Sequence, residues 1–330
     1  MPFRLHQRLV GLAHRARLIH TPIPPYELFI ETTAYCNLKC PTCPQASDLG
    51  GRVKGNMDFE LFKKVIDEAS VWASQVSLFL SGEPLFYKRQ QEAVEYAHAK
   101  GLYTRVHTNL LLLSEKNIDA LLTPALDELS VSFEGPTRNH YDKIRVKGNF
   151  DLAVENTRWL LQERARRGLR RPKVIIQSLQ LQGESPETLR AGNEKLLQGL
   201  SYDEMKIVPT HNFAGYFKEG LRGQLAEELY YDACAMLYNR ITVTWDGRVV
   251  ACCNDLNAKY ICGDIHERPL IEIWNDKPFR ELRAMLRDRR HTEVALCRDC
   301  DAPYCAKKPP ERKLAASLMR AFAKALEKAG

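Results

Sequence analysis

The sequence predicts an α/β fold: a parallel sheet covered by helices on both sides, followed by a small C-terminal hairpin-and-helix unit. Two observations predict it. Short β-branched and aromatic runs alternate with longer amphipathic segments between residues 27 and 212, the pattern of parallel strands joined by crossover helices. The ten cysteines fall in three groups, at 36–43, 234–262 and 297–305, and residues 44–233 contain none. Such grouping reads as metal binding in a reducing, cytoplasmic compartment rather than as disulfide stapling.

The elements follow in order. Residues 3–19 place Phe3, Leu5, Leu9, Leu12 and Ala13 near helical spacing with Arg between them, a basic amphipathic helix. It packs on the body, or docks to a membrane surface or a partner. Pro22, Pro24 and Pro25 end it and lead into a first strand over 27–33. Asp58 is an N-cap for a helix over 59–73. A buried strand over 76–80, a helix over 88–100 stopped by Gly101, and a strand over 102–107 follow. Ser114 caps a helix to about 122, and 128–133 is a strand. A helix over 150–167 ends at Gly168, before a strand over 174–181, a helix over 186–198 and a sixth strand over 205–208.

Residues 213–230 form a polar bridge. Ile241 to Ala251 then reads as a hairpin turning at Asp246-Gly247, and 278–289 as a helix. Residues 306–330 begin Lys307-Lys308-Pro309-Pro310 and form a second basic helix, with Leu314, Leu318, Met319, Phe322, Ala325 and Leu326 on one side. The organisation expected is a helix in 1–26, a core in 27–212, a cysteine-rich domain in 213–305 and a helix in 306–330.

An apolar content of 45% and a charged content of 27% are those of a globular protein. The net charge of +7 resides in the ends. Residues 1–20 carry four Arg and no acid, and residues 306–330 carry seven Lys or Arg against Glu311 and Glu327. The remainder is slightly acidic, which excludes a nucleic-acid-type surface over the body. No apolar run approaches the ~18 residues of a membrane span, and the N-terminus lacks the apolar core of a secretory signal.

Chemistry concentrates after the first strand. Cys36, Cys40 and Cys43 are spaced C-x3-C-x2-C in a polar loop. Iron–sulfur clusters are ordinarily closed by four cysteines. Three thiolates would hold three irons of a cubane and leave the fourth open to a small molecule. A three-cysteine zinc loop, or a disulfide with a spare thiol, are the alternatives. In α/β sheets ligands sit at the carboxyl ends of strands, so the other strand ends belong to the same site. The second strand is followed by Ser81-Gly82-Glu83-Pro84, the third by His107-Thr108-Asn109, and the fourth ends Ser132-Phe133-Glu134-Gly135 ahead of His140 and Arg145. Gln177 comes towards the cavity from the fifth strand, and His211 follows the sixth.

In the cysteine-rich region Cys234 is followed by twelve residues, Gly247, four residues and Cys252, with Cys297-Arg-Asp-Cys300 further on. Cysteine pairs about a small hairpin suit a zinc knuckle or an iron–sulfur cluster equally.

C-x3-C-x2-C directly after a first strand resembles the radical SAM superfamily, as do the Gly-Glu-Pro element after strand two and the Ser132–Arg145 run. The resemblance implies a partial (β/α)6 barrel and an open [4Fe–4S] cluster on Cys36, Cys40 and Cys43 that chelates S-adenosylmethionine (SAM). It implies that Gly82 and Glu83 hold the SAM amino group, that Asn109 lines the SAM site, and that Ser132, Glu134 and Arg145 face its ribose and methionine parts. The chain departs from the family pattern at Thr42, Ser81, Leu110 and Glu134, where an aromatic residue, Gly, Gly and Asp are usual.

Residues 234–305 resemble the SPASM/twitch extension of that family, including the Ile273-Trp274-Asn275 element. This implies one auxiliary [4Fe–4S] cluster on Cys234, Cys252, Cys297 and Cys300. It leaves Cys253, Cys262 and Cys305 as packing residues, substitute ligands or hydrogen donors.

The implied activity is reductive cleavage of SAM to a 5′-deoxyadenosyl radical, hydrogen abstraction, and a two-electron oxidation of a small molecule or a peptide. A flavodoxin- or ferredoxin-type donor would supply electrons. About 26 residues precede the barrel, too few for a folded leader-peptide domain, which favours a small substrate. Radical epimerisation with a cysteine hydrogen donor is one alternative. A non-catalytic iron–sulfur or zinc protein docking to RNA or membrane through its basic ends is the other.

Overall fold

In the computed structural model, strand β1 (Glu27–Ile30) is buried along its whole length. Both faces of a central parallel strand are covered, so an unbroken run such as Leu28-Phe29-Ile30 is what the position demands. Five further strands add in chain order: β2 (Gln75–Ser77), β3 (Tyr103–Thr108), β4 (Glu128–Ser132), β5 (Lys173–Gln180) and β6 (Glu204–Pro209). All pair in parallel. Residues 3–217 and 229–305 are described, together with Ser317. The helix expected over 306–330 and the bridge residues 218–228 lie outside the described residues, Ser317 apart.

The helices are α1 (Phe3–Ala16), α2 (Phe59–Ala69), α3 (Gln90–Ala99), α4 (Arg138–Ile144), α5 (Phe150–Arg166) and α6 (Pro186–Leu196). Asp58 caps α2 by accepting from the amides of Glu60 and Leu61 at 2.9 and 3.0 Å, worth about 1 kcal/mol. Phe62, Val65, Ile66 and Ala69 then meet the sheet as its buried face.

Two expectations are corrected. Residues 114–122 form no α-helix, only a 3-10 turn at Ile118–Ala120. Asn117 accepts from the Ser114 amide and donates to the Leu112 carbonyl, both at 2.8 Å. A side chain that claims backbone groups competes with the helix. The second correction is α4, which the sequence reading left without an element. Thr137 caps it by accepting from the His140 amide.

Beyond the core come β7 (Tyr230–Tyr231), α7 (Met236–Asn239), β8 (Arg240–Val243), β9 (Arg248–Val250), β10 (Ile261–Asp264), α8 (Leu270–Trp274), α9 (Lys277–Arg287) and β11 (Tyr304–Cys305). The Asp246-Gly247 hairpin forms as β8–β9. It is continuous with the core: β8 pairs in parallel with β1, so the sheet runs β10-β9-β8-β1-β2-β3-β4-β5-β6. At the start of these strands Glu27 takes Arg105 at 2.8 Å and Arg240 at 3.3 Å, and Arg105 reaches Glu128 at 3.1 Å. No helix of the described residues is long and apolar enough to cross a membrane.

Candidate active site

The cysteine loop leaves β1 through Glu31, which is fully buried. Arg52 meets its carboxylate with two nitrogens, at 2.9 and 2.6 Å. The Ser81 hydroxyl donates to the same carboxylate, and the Trp245 amide does so at 3.2 Å. A buried carboxylate is stable only when paired and hydrogen-bonded in this way. One side chain therefore ties together β1, the segment returning from the cysteine loop, the strand-two turn and the β8–β9 turn. Ser81, the residue that departs from Gly, is what lets the strand-two turn join.

Cys36, Cys40 and Cys43 line one cavity of about 220 Å³. Gly82, Glu83, Asn109, Ser132, Glu134 and Arg145 line it too, so the residues that the resemblance assigns to SAM arrive at the cysteines. His107, Gln177 and Thr42 also face it, and His211 does not. All ten cysteines are free thiols, which removes the disulfide reading. Burial, reinforced by Glu83, Cys40 and Cys43, pushes the Cys36 thiol up to about 12. Burial, with Cys40 adding to it, pushes Cys43 to about 11. Thiols crowded this way are poor anions alone and become thiolates when a metal centre supplies positive charge. The donor set fits a three-thiolate cluster: the cavity has no fourth cysteine among the described residues, and polar groups face the thiols.

Gly82 is glycine because backbones meet there. A methyl group on it would collide with the Thr33 carbonyl oxygen of the cysteine loop. Glu83 is buried, which pushes its carboxyl up. It accepts from the Thr108 hydroxyl at 2.5 Å and the Asn109 amide at 2.8 Å, lashing the ends of β2 and β3 together. The Asn109 side chain donates to Asn37 of the cysteine loop at 3.0 Å and accepts from the Leu111 amide at 2.9 Å. Asn109 thus forms the turn and also reaches the loop. Leu110 adopts φ +60°, a conformation costing a side chain roughly 1–2 kcal/mol. Its full burial offsets that cost.

Ser132 lies 2.7 Å from His107 Nε2. Burial, with Arg145 and Arg105 nearby, pushes the His107 imidazole down to about 3, so it is neutral at ordinary pH. Glu134 sits at φ +55°, is fully buried, and accepts from the Leu179 amide at 2.7 Å. Arg145 pairs with Glu134 and donates to Cys40 Sγ at 3.6 Å. Burial works against its charge, but Glu134 and Cys40 outweigh that and raise its pKa.

A second cavity is lined by Cys234, Cys252, Cys297 and Cys300 among Leu282, Leu286, Leu296 and Met236. Burial first, then Cys300, pushes Cys234 up to about 12. Cys297 is raised by burial, then by Cys234 and Cys300. Four mutually repelling thiols in an apolar pocket fit a closed cluster. The three remaining cysteines do not line this cavity. Cys262 is in the hydrophobic core. Cys305 lies on β11 with its sulfur 3.5 Å from the Tyr230 carbonyl oxygen. Cys253 Sγ accepts from Arg240 at 3.2 Å.

The Glu31–Arg52 pair, Trp245 and Gln45 were not singled out from sequence. Gln45 donates to the carbonyls of Ala34 and Ser81 at 2.8 and 2.9 Å. Its place two residues after Cys43 was the available signal.

Comparisons agree with this geometry. Residues 30–191 match the radical SAM superfamily, and residues 234–301 match SPASM, an iron–sulfur cluster-binding domain. The chain is 26% identical over 306 residues to the Fe-coproporphyrin III synthase of Methanosarcina barkeri, covering 78% of this chain and 75% of that one. It is 23% identical over 279 residues to the S-adenosyl-L-methionine-dependent 2-deoxy-scyllo-inosamine dehydrogenase of Niallia circulans, covering 82% and 91%. Among solved structures, BtrN in complex with AdoMet and 2-DOIA superposes with a TM-score of 0.55 at 21% identity, covering 84% of this chain and 93% of that one. A [4Fe–4S] cluster, SAM and auxiliary iron–sulfur follow from the two matched domains. This chain belongs to the radical SAM superfamily and carries a SPASM-type iron–sulfur domain.

Proposed function

We propose that this protein is a radical SAM dehydrogenase that oxidises an alcohol-like carbon of a small molecule by two electrons. One observation carries the reading. Cys252 lines the four-cysteine cavity, and Leu256, four residues later, lines the cavity of Cys36, Cys40 and Cys43. Four residues of chain reach at most about 14 Å. A centre held by four thiolates has no vacant corner for substrate, so its use beside a radical site is to accept an electron.

Cys36, Cys40 and Cys43 would hold the first cluster, which with SAM supplies a 5′-deoxyadenosyl radical when bound. Gly82 lets the strand-two turn close on the cysteine loop, and Glu83 and Asn109 fix the wall that the amino end of SAM would face. Ser132, Glu134 and Arg145 close the opposite wall. The protein's work is to fix one C–H bond before the radical in a dry cavity. Neutral His107, held by Ser132 at 2.7 Å, offers a polar wall that can hydrogen-bond a substrate hydroxyl. The named dehydrogenase among the relatives supports oxidation.

The alternative, an epimerase with Cys253 as hydrogen donor, lacks this support: Cys253 Sγ is held at 3.2 Å by Arg240, which pairs with Glu27 at the start of the strands, and Cys253 does not line the cavity of Cys36, Cys40 and Cys43.

The test is anaerobic reconstitution, with counting of iron, 5′-deoxyadenosine and reductant. About eight irons per chain and 5′-deoxyadenosine from dithionite and SAM are expected; their absence ends the reading. A dehydrogenase returns the electron it took, whereas an epimerase consumes two per product and fails when Cys253 is changed to Ala. A flavodoxin- or ferredoxin-type donor would replace dithionite.

A further inference from the structure

Helix α1 buries His6, Leu9, Val10 and Ala13 against the body. Its outer face is a shelf lined by Arg4, Gln7, Arg8, Gly11, Leu12 and Arg15. Arg4, Arg8 and Arg15 are exposed, and the helix contains no acid. Among the described residues, none of the three enters an ion pair. From Arg4 to Arg15 the shelf is about 16 Å long at 1.5 Å per residue.

The inner end of this helix is fastened beside the auxiliary cysteines. His14 Nε2 meets the Ala233 carbonyl, and its ring packs on Tyr238 at 5.2 Å. Arg17 donates to Asp232 at 3.1 Å. Ala233 is the residue before Cys234, and Tyr238, four residues after that cysteine, is buried. The shelf therefore ends at Arg15 beside His14, whose ring meets the carbonyl of the residue that precedes Cys234.

We propose that the outer face of α1 docks an acidic one-electron carrier, a small flavin- or iron–sulfur-bearing protein, which takes electrons from the auxiliary site. The proposal rests on the reading that Cys234, Cys252, Cys297 and Cys300 hold an electron-accepting cluster. The exchange is one electron: the auxiliary centre is oxidised by one as the carrier is reduced by one, with a solvent proton where the carrier is a flavin. Charge complementarity selects the partner. Three exposed guanidiniums steer an acidic protein at long range. Insertion into a bilayer would require the apolar face of α1, whose Leu9, Val10 and Ala13 are buried against the body of the enzyme, leaving Phe3 and Leu5 exposed at its start. His6, bonded to the Pro24 carbonyl at 2.9 Å, anchors the other end.

The experiment uses the reconstituted full chain and a bacterial flavodoxin as probe. The variant R4E/R8E/R15E is compared with K88E/K116E/R170E, three exposed residues on other elements giving the same change in net charge. At low salt the α1 variant should associate with flavodoxin at least tenfold more slowly than the parent, and the difference should shrink as salt rises. The control should stay within about twofold, the spread expected when only overall charge has changed. Flavodoxin reduction by protein whose Cys36, Cys40 and Cys43 are replaced by Ala, so that only the auxiliary site donates, should slow in parallel. Equal loss in both triple variants overturns the proposal. So does α1-dependent binding to anionic phospholipid vesicles without α1-dependent binding to flavodoxin, which would make the helix a membrane anchor. Dithionite-driven 5′-deoxyadenosine formation on the same preparation tests the proposed function separately. Its absence removes that function, and insensitivity of flavodoxin association to α1 removes only the docking surface.

Discussion

Arg145 donates to Cys40 Sγ at 3.6 Å while pairing with Glu134 on its other side. One guanidinium thus joins the cysteine loop to the strained end of β4, where Glu134 stands at φ +55°. Removing the cation leaves Glu134 fully buried without a counter-charge, a change costing about 3–5 kcal/mol. Arg145→Ala should lower stability in urea by that order. Arg145→Ala combined with Glu134→Gln should recover a large part of it, because the second change removes the stranded charge. Equal stability of the single and double variants would show that the pair is not coupled.

Gly82 faces the Thr33 carbonyl with no room for a side chain. Gly82→Ala should therefore push the cysteine loop away from the strand-two turn. The expected result is loss of about four of eight irons and of 5′-deoxyadenosine formation, with the auxiliary cluster spectrum retained. Gly101→Ala, at a glycine with open space around it and φ +82°, should cost about 1 kcal/mol of stability and no iron.

What was legible in the sequence is what periodicity and spacing encode. The parallel strands read correctly because β-branched and aromatic runs such as Leu28-Phe29-Ile30 have no other comfortable place, and the ends of the first five strands then led to residues lining the first cavity, whereas His211 after the sixth does not line it. What stayed hidden depends on partners distant in sequence. Arg52 reads as one more loop cation until it and the Trp245 amide are seen to converge on the Glu31 carboxylate. The β8–β9 hairpin reads as part of a separate unit until β8 pairs with β1. Asn117 defeated the helix after Ser114 by a local competition that composition alone does not rank.

The auxiliary cysteines separate from their neighbours in a direct way. Cys297→Ala opens the four-thiol cavity and should remove about four irons. Formation of 5′-deoxyadenosine should continue, while oxidised product falls at least tenfold. Cys262 is only 2% exposed and belongs to the core. Cys262→Ala should keep all the iron and lose only stability, by about 1–2 kcal/mol for the cavity left behind. Iron loss in Cys262→Ala would place that thiol on the cluster instead.

His107 gives a pH-dependent prediction whose sign can be worked out. In the unfolded chain an imidazole takes up its proton near 6.5, whereas in the fold burial, Arg145 and Arg105 hold His107 down to about 3. Between these values the unfolded chain binds the extra proton, so stability rises with pH. Acidification below 6.5 should cost up to about 1.4 kcal/mol per pH unit through this one group. His107→Gln keeps a polar side chain beside Ser132 and removes the titration. Its loss of stability between pH 7 and pH 5 should be smaller than that of the parent by roughly 1–2 kcal/mol. If His107 positions the substrate's hydroxyl by a hydrogen bond, the same variant should also slow product formation relative to 5′-deoxyadenosine formation. Parallel decline of the two would reduce His107 to a wall residue.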